Sequence, residues 1–129
     1  MARLEVHVVT PEREVWAGEA DMVIARAADG GIGILPGHAP LLALLDVGPL
    51  VIVDGDRREQ AVVDGGFLHV ANDRVDVLAE HAELASEIDR GAAEAKREDL
   101  ERRAREGDVE AREELARVMA RLSLREGAG

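Results

Sequence analysis

Residues 50–79 read LVIVDGDRREQAVVDGGFLHVANDRVDVLA, and this stretch decides the fold class. Its short apolar runs are separated by dipeptides typical of tight turns, namely Asp54-Gly55, Gly65-Gly66 and Asn72-Asp73. Residues of these types accept the positive φ angles that tight β-turns require. The pattern therefore predicts strands over residues 50–53, 59–63, 67–71 and 75–79, with the first two paired as a hairpin through Asp54-Gly55.

The same pattern extends toward the N-terminus. Leu4, Val6 and Val8 alternate with polar residues, and further apolar runs include Trp16 and residues 22–25. Several short strands in so short a span, with no crossover helix between them, favour an all-β fold over a βαβ fold. We predict a β-sandwich, or small flattened barrel, as one domain over residues 1–85.

The composition changes after Leu84, where proline disappears and Ala, Glu and Arg dominate. Ser86 followed by Asp89 is typical of a capping box, which predicts a first helix from there to about Arg105. Asp108 is a candidate N-cap for a second helix over about 109–124. Its apolar stripe consists of Leu115, Val118, Met119 and Leu122. The two helices are predicted to form an antiparallel hairpin, the second domain, over residues 86–129.

The contact between these helices is predicted to be thin. Ile88 and Leu100 are the only large apolar residues of the first helix, and Gly91 costs it about 1 kcal/mol relative to alanine. Charge is also divided unevenly. Residues 1–85 carry six basic and fifteen acidic groups, whereas residues 86–129 carry ten basic and twelve acidic groups.

The bulk composition excludes several function classes. A net charge of −11 repels phosphate backbones and anionic headgroups, so binding to nucleic acid or directly to a membrane surface is disfavoured. No apolar run approaches the roughly 20 residues of a membrane span, so we expect no direct membrane insertion. The absence of cysteine removes disulfides and thiolate zinc sites, and it suits a reducing, cytosolic setting.

The glycine-rich run Gly30-Gly31-Ile32-Gly33 invites comparison with a phosphate-binding loop. Neither the Gly-Lys-Ser/Thr ending of a P-loop nor a helix-opening glycine follows it, and Pro36 comes instead. We therefore expect a tight turn at the edge of the sandwich. His38, which follows Pro36-Gly37 in an apolar loop, is expected to make a buried hydrogen bond or an interface contact.

No catalytic or metal site is predicted. The four histidines lack short ligand spacing, and serine occurs only at Ser86 and Ser123, which leaves little material for a Ser-His-Asp arrangement.

Arg117, Arg121 and Arg125 recur every four residues on the second helix. Two interpretations are open. They form a solvated face partly paired with Glu113 and Glu114, which the spacing alone favours, or a docking surface for an acidic partner.

The segment AADGGIGILPGHAPLLALLDVGPLVIV, residues 27–53, resembles the epsilon subunits of bacterial F-type ATP synthases. The likeness lies in the glycine turn, the Pro-Gly-His-Ala-Pro-Leu-Leu run and the glycine before a strand. Residues 62–70 and 75–79 resemble further strands of that family, and the helical half agrees in length and composition. The resemblance thus covers essentially the whole chain.

This resemblance implies a non-catalytic central-stalk subunit, peripheral on the cytoplasmic side of the cell membrane. The sandwich would bind the gamma subunit and rest on the c-subunit ring during proton-driven ATP synthesis. The hairpin would fold against the sandwich, or extend toward the alpha and beta subunits and restrain ATP hydrolysis. A free-standing acidic adaptor with a helical arm is the alternative hypothesis.

The resemblance also assigns roles to particular residues. Asp29, Gly30 and Gly31 would face the c ring, with Asp29 as the polar contact because Gly31 replaces an acid found in some relatives. His38, Leu41 and Leu42 would serve the sandwich core and the gamma contact. The candidates for contacting an acidic loop on beta are Arg112, Arg117, Arg121 and Arg125.

Many members of this family bind ATP on the hairpin through a motif of the form I/L-D-x-x-R-A. The corresponding run here is Ile88-Asp89-Arg90-Gly91-Ala92-Ala93, with Ala92 in the arginine place. Asp89 and Arg90 are the residues left for such a site. We expect no cofactor and no ATP binding, unless Arg90 or another arginine substitutes.

Overall fold

The computed structural model describes residues 2–124, so Arg125 lies outside the described residues. Ten strands come first: β1 Leu4–Val9, β2 Glu14–Ala20, β3 Met22–Ala27, β4 Gly30–Ile34, β5 Leu41–Leu44, β6 Gly48–Asp54, β7 Arg57–Asp64, β8 Phe67–Ala71, β9 Arg74–Leu78 and β10 His81–Leu84. A short 3₁₀ helix, Ala85–Glu87, leads into helices α1, Arg90–Arg105, and α2, Val109–Ser123.

The strands form two five-stranded sheets. Sheet 1 has the order β2-β1-β9-β8-β5, and sheet 2 has the order β10-β7-β6-β3-β4. Alternate residues of each strand point inward, so that Leu4, Val6 and Val8 of sheet 1 and Leu50 and Ile52 of sheet 2 share one buried core. The predicted β-sandwich is therefore confirmed.

The chain turns at the predicted places, but the turn after β6 lies one residue later, at Gly55-Asp56, and Gly65-Gly66 carries the chain from β7 of sheet 2 to β8 of sheet 1. Gly55 has a φ of 60°, and Asn72 and Asp73 have φ angles of 51° and 60°, as a two-residue hairpin requires. Gly66 has a φ of 100°, and a Cβ atom there would lie 2.0 Å from the carbonyl oxygen of Leu78. Glycine at position 66 is thus required both by backbone conformation and by space.

The glycine-rich run corrects the sequence prediction. Gly30–Ile34 is a strand, β4, which among the described strands pairs only with β3 and so forms an edge of sheet 2. The tight turn lies just before it, at Ala28-Asp29. Glycine has a weak strand propensity, so the hydrogen bonds to β3 are what hold β4 in an extended conformation.

The first helix begins later than predicted. Ile88 has extended backbone angles, and the N-cap is Asp89, whose carboxylate accepts a hydrogen bond from Ala92 N at 2.9 Å. Ser86 belongs to the 3₁₀ turn, which Glu87 ties back by accepting from Leu84 N at 2.9 Å. The second helix is confirmed within a residue of its predicted bounds, with the carboxylate of its N-cap Asp108 accepting from Ala111 N.

The hairpin contact is thin and rich in alanine, as predicted. Its buried members are Ala93, Leu100, Ala111 and Val118, with Leu115 and Leu122 partly buried beside them. The prediction that Met119 belongs to this stripe is wrong, because 46% of its surface is exposed. Ile88 lies outside this contact and packs against the cluster of Val62, Ala120 and Leu124, where the hairpin meets sheet 2. Neither described helix is long and apolar enough to cross a membrane.

Candidate protein-binding surfaces

Within residues 2–124, no group of three or more His, Asp or Glu side chains is placed to hold a metal ion. The candidate functional features of this chain are surfaces that could contact other proteins. Three of them are distinct: the contact between hairpin and sandwich, the outer face of sheet 1, and the β4 edge of sheet 2.

The hairpin rests on the outer face of sheet 2 through α2. Val62 points away from the sandwich core because its neighbours Ala61 and Val63 point into it. Val62, Ala120 and Leu124 are buried together, and Val47, Ala85 and Ile88 pack partly against them. This docking contact is small, since few large apolar side chains take part.

Two ion pairs flank the docking contact. Arg117 Nε donates to Asp64 Oδ2 at 2.5 Å, and Arg121 Nε donates to Glu83 Oε1 at 2.7 Å. Both pairs are partly shielded, with 15% of the Asp64 side chain and 29% of the Arg121 side chain exposed. The hydrogen bond to Asp64 is the main cause that raises the pKa of Arg117. The direct ion pairs of Arg117 and Arg121 are thus with sandwich carboxylates, and the charges of Glu113 and Glu114 are smaller causes that raise the pKa of Arg117.

A third pair connects the 3₁₀ turn to the β1–β2 loop. Arg13 Nη2 donates to Glu87 Oε1 at 2.8 Å, and this bond, followed by the one from Leu84 N, lowers the pKa of Glu87. A cleft of about 560 Å³ lies between Arg13, the carboxylates and α2. Positive and negative groups both line it, so its charge favours neither anions nor cations.

The two candidate nucleotide residues have structural roles in the hairpin. Asp89 caps α1, as described above. The Arg90 guanidinium donates to the carbonyl oxygens of Leu124 at 2.8 Å, Leu122 at 3.1 Å and Arg121 at 3.4 Å. These carbonyls lie in the last turn of α2 and at its C-cap, where no further turn of helix supplies N–H donors, although Leu124 N also donates to the Arg121 carbonyl at 3.4 Å. Arg90 therefore helps to satisfy the C-terminal end of that helix.

The outer face of sheet 1 carries exposed large apolar side chains at one end. They are Leu42, Leu44, Phe67 and Leu78, with exposures of 65%, 58%, 45% and 51%, and we call them the apolar patch. The strand pairing places Leu44, Phe67 and Leu78 side by side. Contiguous exposed apolar groups of this kind mark surfaces that bind other proteins.

Sequence reasoning identified only Leu42 of this patch. Its neighbour Leu41 points inward and packs against the core. The signal that was available is two pairs of consecutive apolar residues, Phe67-Leu68 and Val77-Leu78. Because consecutive side chains of a strand point to opposite faces, one member of each pair must lie on the outer face, which is ordinarily polar.

The remaining sandwich candidates lie in the β3–β4 region and the loop after it. Asp29, Gly30 and Gly31 are exposed. A side chain at Gly31 would meet no atom within 4 Å, so neither space nor backbone angle requires glycine there. His38 is half-buried, and its Nδ1 lies 2.7 Å from the carbonyl oxygen of the adjacent Ala39, so the expectation of a buried hydrogen bond is wrong.

These features agree with comparisons to known proteins. Residues 3–85 match the family model described as ATP synthase, Delta/Epsilon chain, beta-sandwich domain. An ATP synthase epsilon chain from Thermobifida fusca is 53% identical over 124 residues, which cover 93% of this chain and 90% of that one. The chain belongs to the ATP synthase epsilon chain family. It is accordingly a non-catalytic subunit of a membrane-associated complex whose catalytic sites lie on other subunits.

Other epsilon chains are similar over most of their length. The one from Brevibacillus brevis is 48% identical over 80% of this chain and 79% of that one. The one from Streptomyces avermitilis is 49% identical over 85% of this chain and 87% of that one. Because the matched region of these epsilon chains extends past the sandwich, the family explains the helical hairpin better than the free-standing adaptor hypothesis does.

Solved structures show the same fold. A chain in the cryo-EM structure of the Euglena gracilis mitochondrial ATP synthase (OSCP/F1/c-ring) has a TM-score of 0.79 and 23% identity, covering 92% of this chain and 77% of that one. A chain in the central stalk/c-ring structure from Tetrahymena thermophila has a TM-score of 0.55 and 19% identity, covering 70% of this chain and 69% of that one.

Among the candidate residues of this epsilon-family chain, the structure brings Arg117 and Arg121 to the junction of hairpin and sandwich, whereas Asp89 and Arg90 bond within the hairpin. Arg112 is exposed, and its Nε donates to the carbonyl oxygen of Ala104, which closes the loop between the helices.

Proposed function

We propose that this chain is a central-stalk subunit on the cytoplasmic side of the membrane, linking the gamma subunit to the c-subunit ring during proton-driven ATP synthesis. Its hairpin restrains ATP hydrolysis by the alpha and beta subunits. The observation that supports this most is the division of the sandwich into two faces. Sheet 2 carries the hairpin, and sheet 1 carries an exposed apolar patch.

The gamma subunit binds the apolar patch in this proposal. Burying a large apolar side chain stabilises a complex by about 1.5–3 kcal/mol, and the patch offers four such side chains in one place. Its sheet faces away from the hairpin, so the gamma subunit can remain bound whether the hairpin is folded or extended.

The c ring meets the exposed β3–β4 end of the sandwich, through Asp29 and the backbone of Gly30 and Gly31. Glycine leaves the backbone of this edge strand open to close approach. The edge formed by β4 is opposite the edge formed by β10 in sheet 2. The c-ring contact is thereby separated from the ion pair of Glu83.

The hairpin can change position because its docking contact is small. Three buried apolar side chains and two ion pairs hold it, so a second arrangement lies within a few kcal/mol. When it extends, Arg112, Arg117, Arg121 and Arg125 contact an acidic loop on beta. Replacing Arg117, Arg121 and Arg125 with alanine is expected to relieve the restraint on hydrolysis in the reconstituted complex. Unchanged hydrolysis would rule out these contacts.

ATP does not hold the folded hairpin of this chain in our proposal. Ala92 stands in the arginine place of the family motif, and Asp89 and Arg90 already bond to the backbone. The cavity beside Asp89, Lys96 and Arg121 is about 190 Å³, below the roughly 300–1,000 Å³ of typical small-molecule sites. Calorimetry with ATP on the isolated chain is expected to show no binding, and an affinity in the physiological range would refute this.

Co-purification with the gamma subunit tests the main proposal. Placing aspartate at Leu42 and Phe67 puts charge into the apolar patch without touching the buried core. This variant is expected to lose the gamma subunit. The matched control is Val109→Asp, which changes an apolar residue that is 62% exposed on α2. If the patch variant still folds and binds as the control does, the patch is not the gamma site.

A further inference from the structure

The two arginines assigned to an acidic partner already bind carboxylates within this chain. Arg117 and Arg121 are one helical turn apart, with a rise of about 6 Å between them. Asp64 ends β7, and Glu83 in β10 is opposite Val62, two residues from Asp64. Two residues along a strand span about 7 Å, so the carboxylates match the spacing of the arginines.

We infer that Asp64 and Glu83 substitute for the acidic partner of α2 and mask its arginines while the hairpin is folded. This inference rests on the proposed function, in which α2 acts on an acidic surface of a catalytic subunit. While the hairpin is folded, α2 packs on sheet 2 with Arg117 and Arg121 bonded to the sandwich carboxylates, and only 34% and 29% of these two side chains stay exposed. The sandwich and the partner therefore compete for the same side chains, and the carboxylates set how often the hairpin is released.

The charge distribution supports a mask that works by electrostatics. The sandwich has a large acidic excess, whereas most arginines lie in the helical half. Among residues 2–124, the apolar part of the docking contact has three buried members, Val62, Ala120 and Leu124. Arg13 and Glu87 add a third ion pair at the same junction. Because partly exposed ion pairs are screened by salt, raising the ionic strength should release the hairpin.

The released population can be measured on the full chain by the distance between two labels. The chain has no cysteine, so Ala17→Cys on the outer face of sheet 1 and Arg105→Cys at the end of α1 provide unique attachment sites. Asp64→Asn and Glu83→Gln remove one charge each with little change in shape. Each is expected to raise the ratio of released to folded hairpin about fivefold, and the two together about 25-fold. Glu80→Gln, an exposed acid outside the ion pairs, is the matched control and should leave the distances unchanged.

A charge exchange separates masking from a general role in stability. Glu83→Arg combined with Arg121→Glu re-forms a pair of opposite charges, so the hairpin is expected to fold against the sandwich again. It also puts a negative charge on α2 where an acidic partner binds. In the reconstituted complex, Asp64→Asn with Glu83→Gln should strengthen the restraint on ATP hydrolysis, and the exchanged variant should weaken it.

The possible failures can be told apart. Unchanged label distances in Asp64→Asn with Glu83→Gln would overturn the inference and leave the proposed function standing. Released hairpins without stronger restraint would overturn the masking, provided that removing the hairpin itself relieves hydrolysis. If hairpin removal has no effect on hydrolysis, the proposed function fails, and the ion-pair latch is judged by the distances alone.

Discussion

Replacing Leu100 with alanine is predicted to unfold the hairpin while leaving the sandwich folded. Leu100 is 3% exposed, and with Val118 it is one of two large side chains buried between the helices. A buried leucine changed to alanine loses about 2–5 kcal/mol, because apolar contact is lost and a cavity remains. Within the part of the chain that the structure describes, the contact has two further large members, Leu115 and Leu122, both partly exposed. A loss of this size therefore removes most of what holds the helices together.

Amide hydrogen exchange on the full chain measures this change directly. In Leu100→Ala, amides of α1 and α2 are expected to lose protection, while those of the buried strands keep theirs. Restraint of ATP hydrolysis should be lost in the complex. Met119→Ala is the matched control, since Met119 lies on the same hairpin but is 46% exposed, and it should change stability by less than about 0.5 kcal/mol. Helix protection that survives in Leu100→Ala, or sandwich protection lost together with it, would refute the reasoning.

Three further predictions concern single contacts. Gly66→Ala should destabilise the sandwich by more than about 2 kcal/mol in chemical denaturation, because its Cβ would lie 2.0 Å from a backbone oxygen. Gly33→Ala, which meets open space, should be nearly neutral, and equal effects would contradict the clash. Arg90→Ala should weaken the hairpin by about 1–2 kcal/mol by freeing the carbonyls at the end of α2. Arg90→Lys should lose less stability than Arg90→Ala but more than none, because lysine has no planar fork of donors. If the hairpin amides exchange no faster in Arg90→Ala than in the unchanged chain, Arg90 does not act as a cap. The hydrogen bond from Arg13 lowers the pKa of Glu87 in the folded chain below its ordinary value of 4.5. The ionised Glu87 therefore stabilises the fold at pH values above 4.5, and this stabilisation is lost as the pH falls through the lower pKa of the folded chain. Glu87→Gln should flatten that acid dependence, and an identical pH profile would exclude the pair as its source.

The β domain could be predicted because its turns are recognisable from two adjacent residues. Asn72, Asp73 and Gly55 adopt the positive φ angles that their residue types favour, and the strands on either side follow. Strand β4 could not be predicted in this way. Its glycines disfavour extended structure, and it forms because β3 provides hydrogen bonds along its length.

The surfaces were harder to predict than the fold. Spacing places Arg117 and Arg121 on one face of α2, but Asp64, the partner of Arg117, is 53 residues away in the chain. Such a pairing depends on how the hairpin packs against the sandwich, which no local pattern specifies. The sequence predicts the start of α1 too early for a similar reason, because Glu87 pairs with Arg13, 74 residues away, in the turn before the helix.

The apolar patch shows a third limit. Leu44 and Leu78 look like core residues when only hydrophobicity is considered, and their exposure follows from strand alternation against buried Leu45 and Val77. The sequence pattern identifies the strands, but the choice of face depends on register.

ATP hydrolysis by the reconstituted complex tests the central claim, that the hairpin restrains the catalytic subunits, most directly. The comparison is between the full chain and a chain that ends at Ile88, just before α1. Co-purification of the shortened chain with the gamma subunit verifies that its sandwich is folded. The complex with the full chain is expected to hydrolyse ATP slowly. The complex with the shortened chain is expected to hydrolyse ATP faster, with the shortened chain still bound. Equal hydrolysis rates in the two complexes would contradict the account.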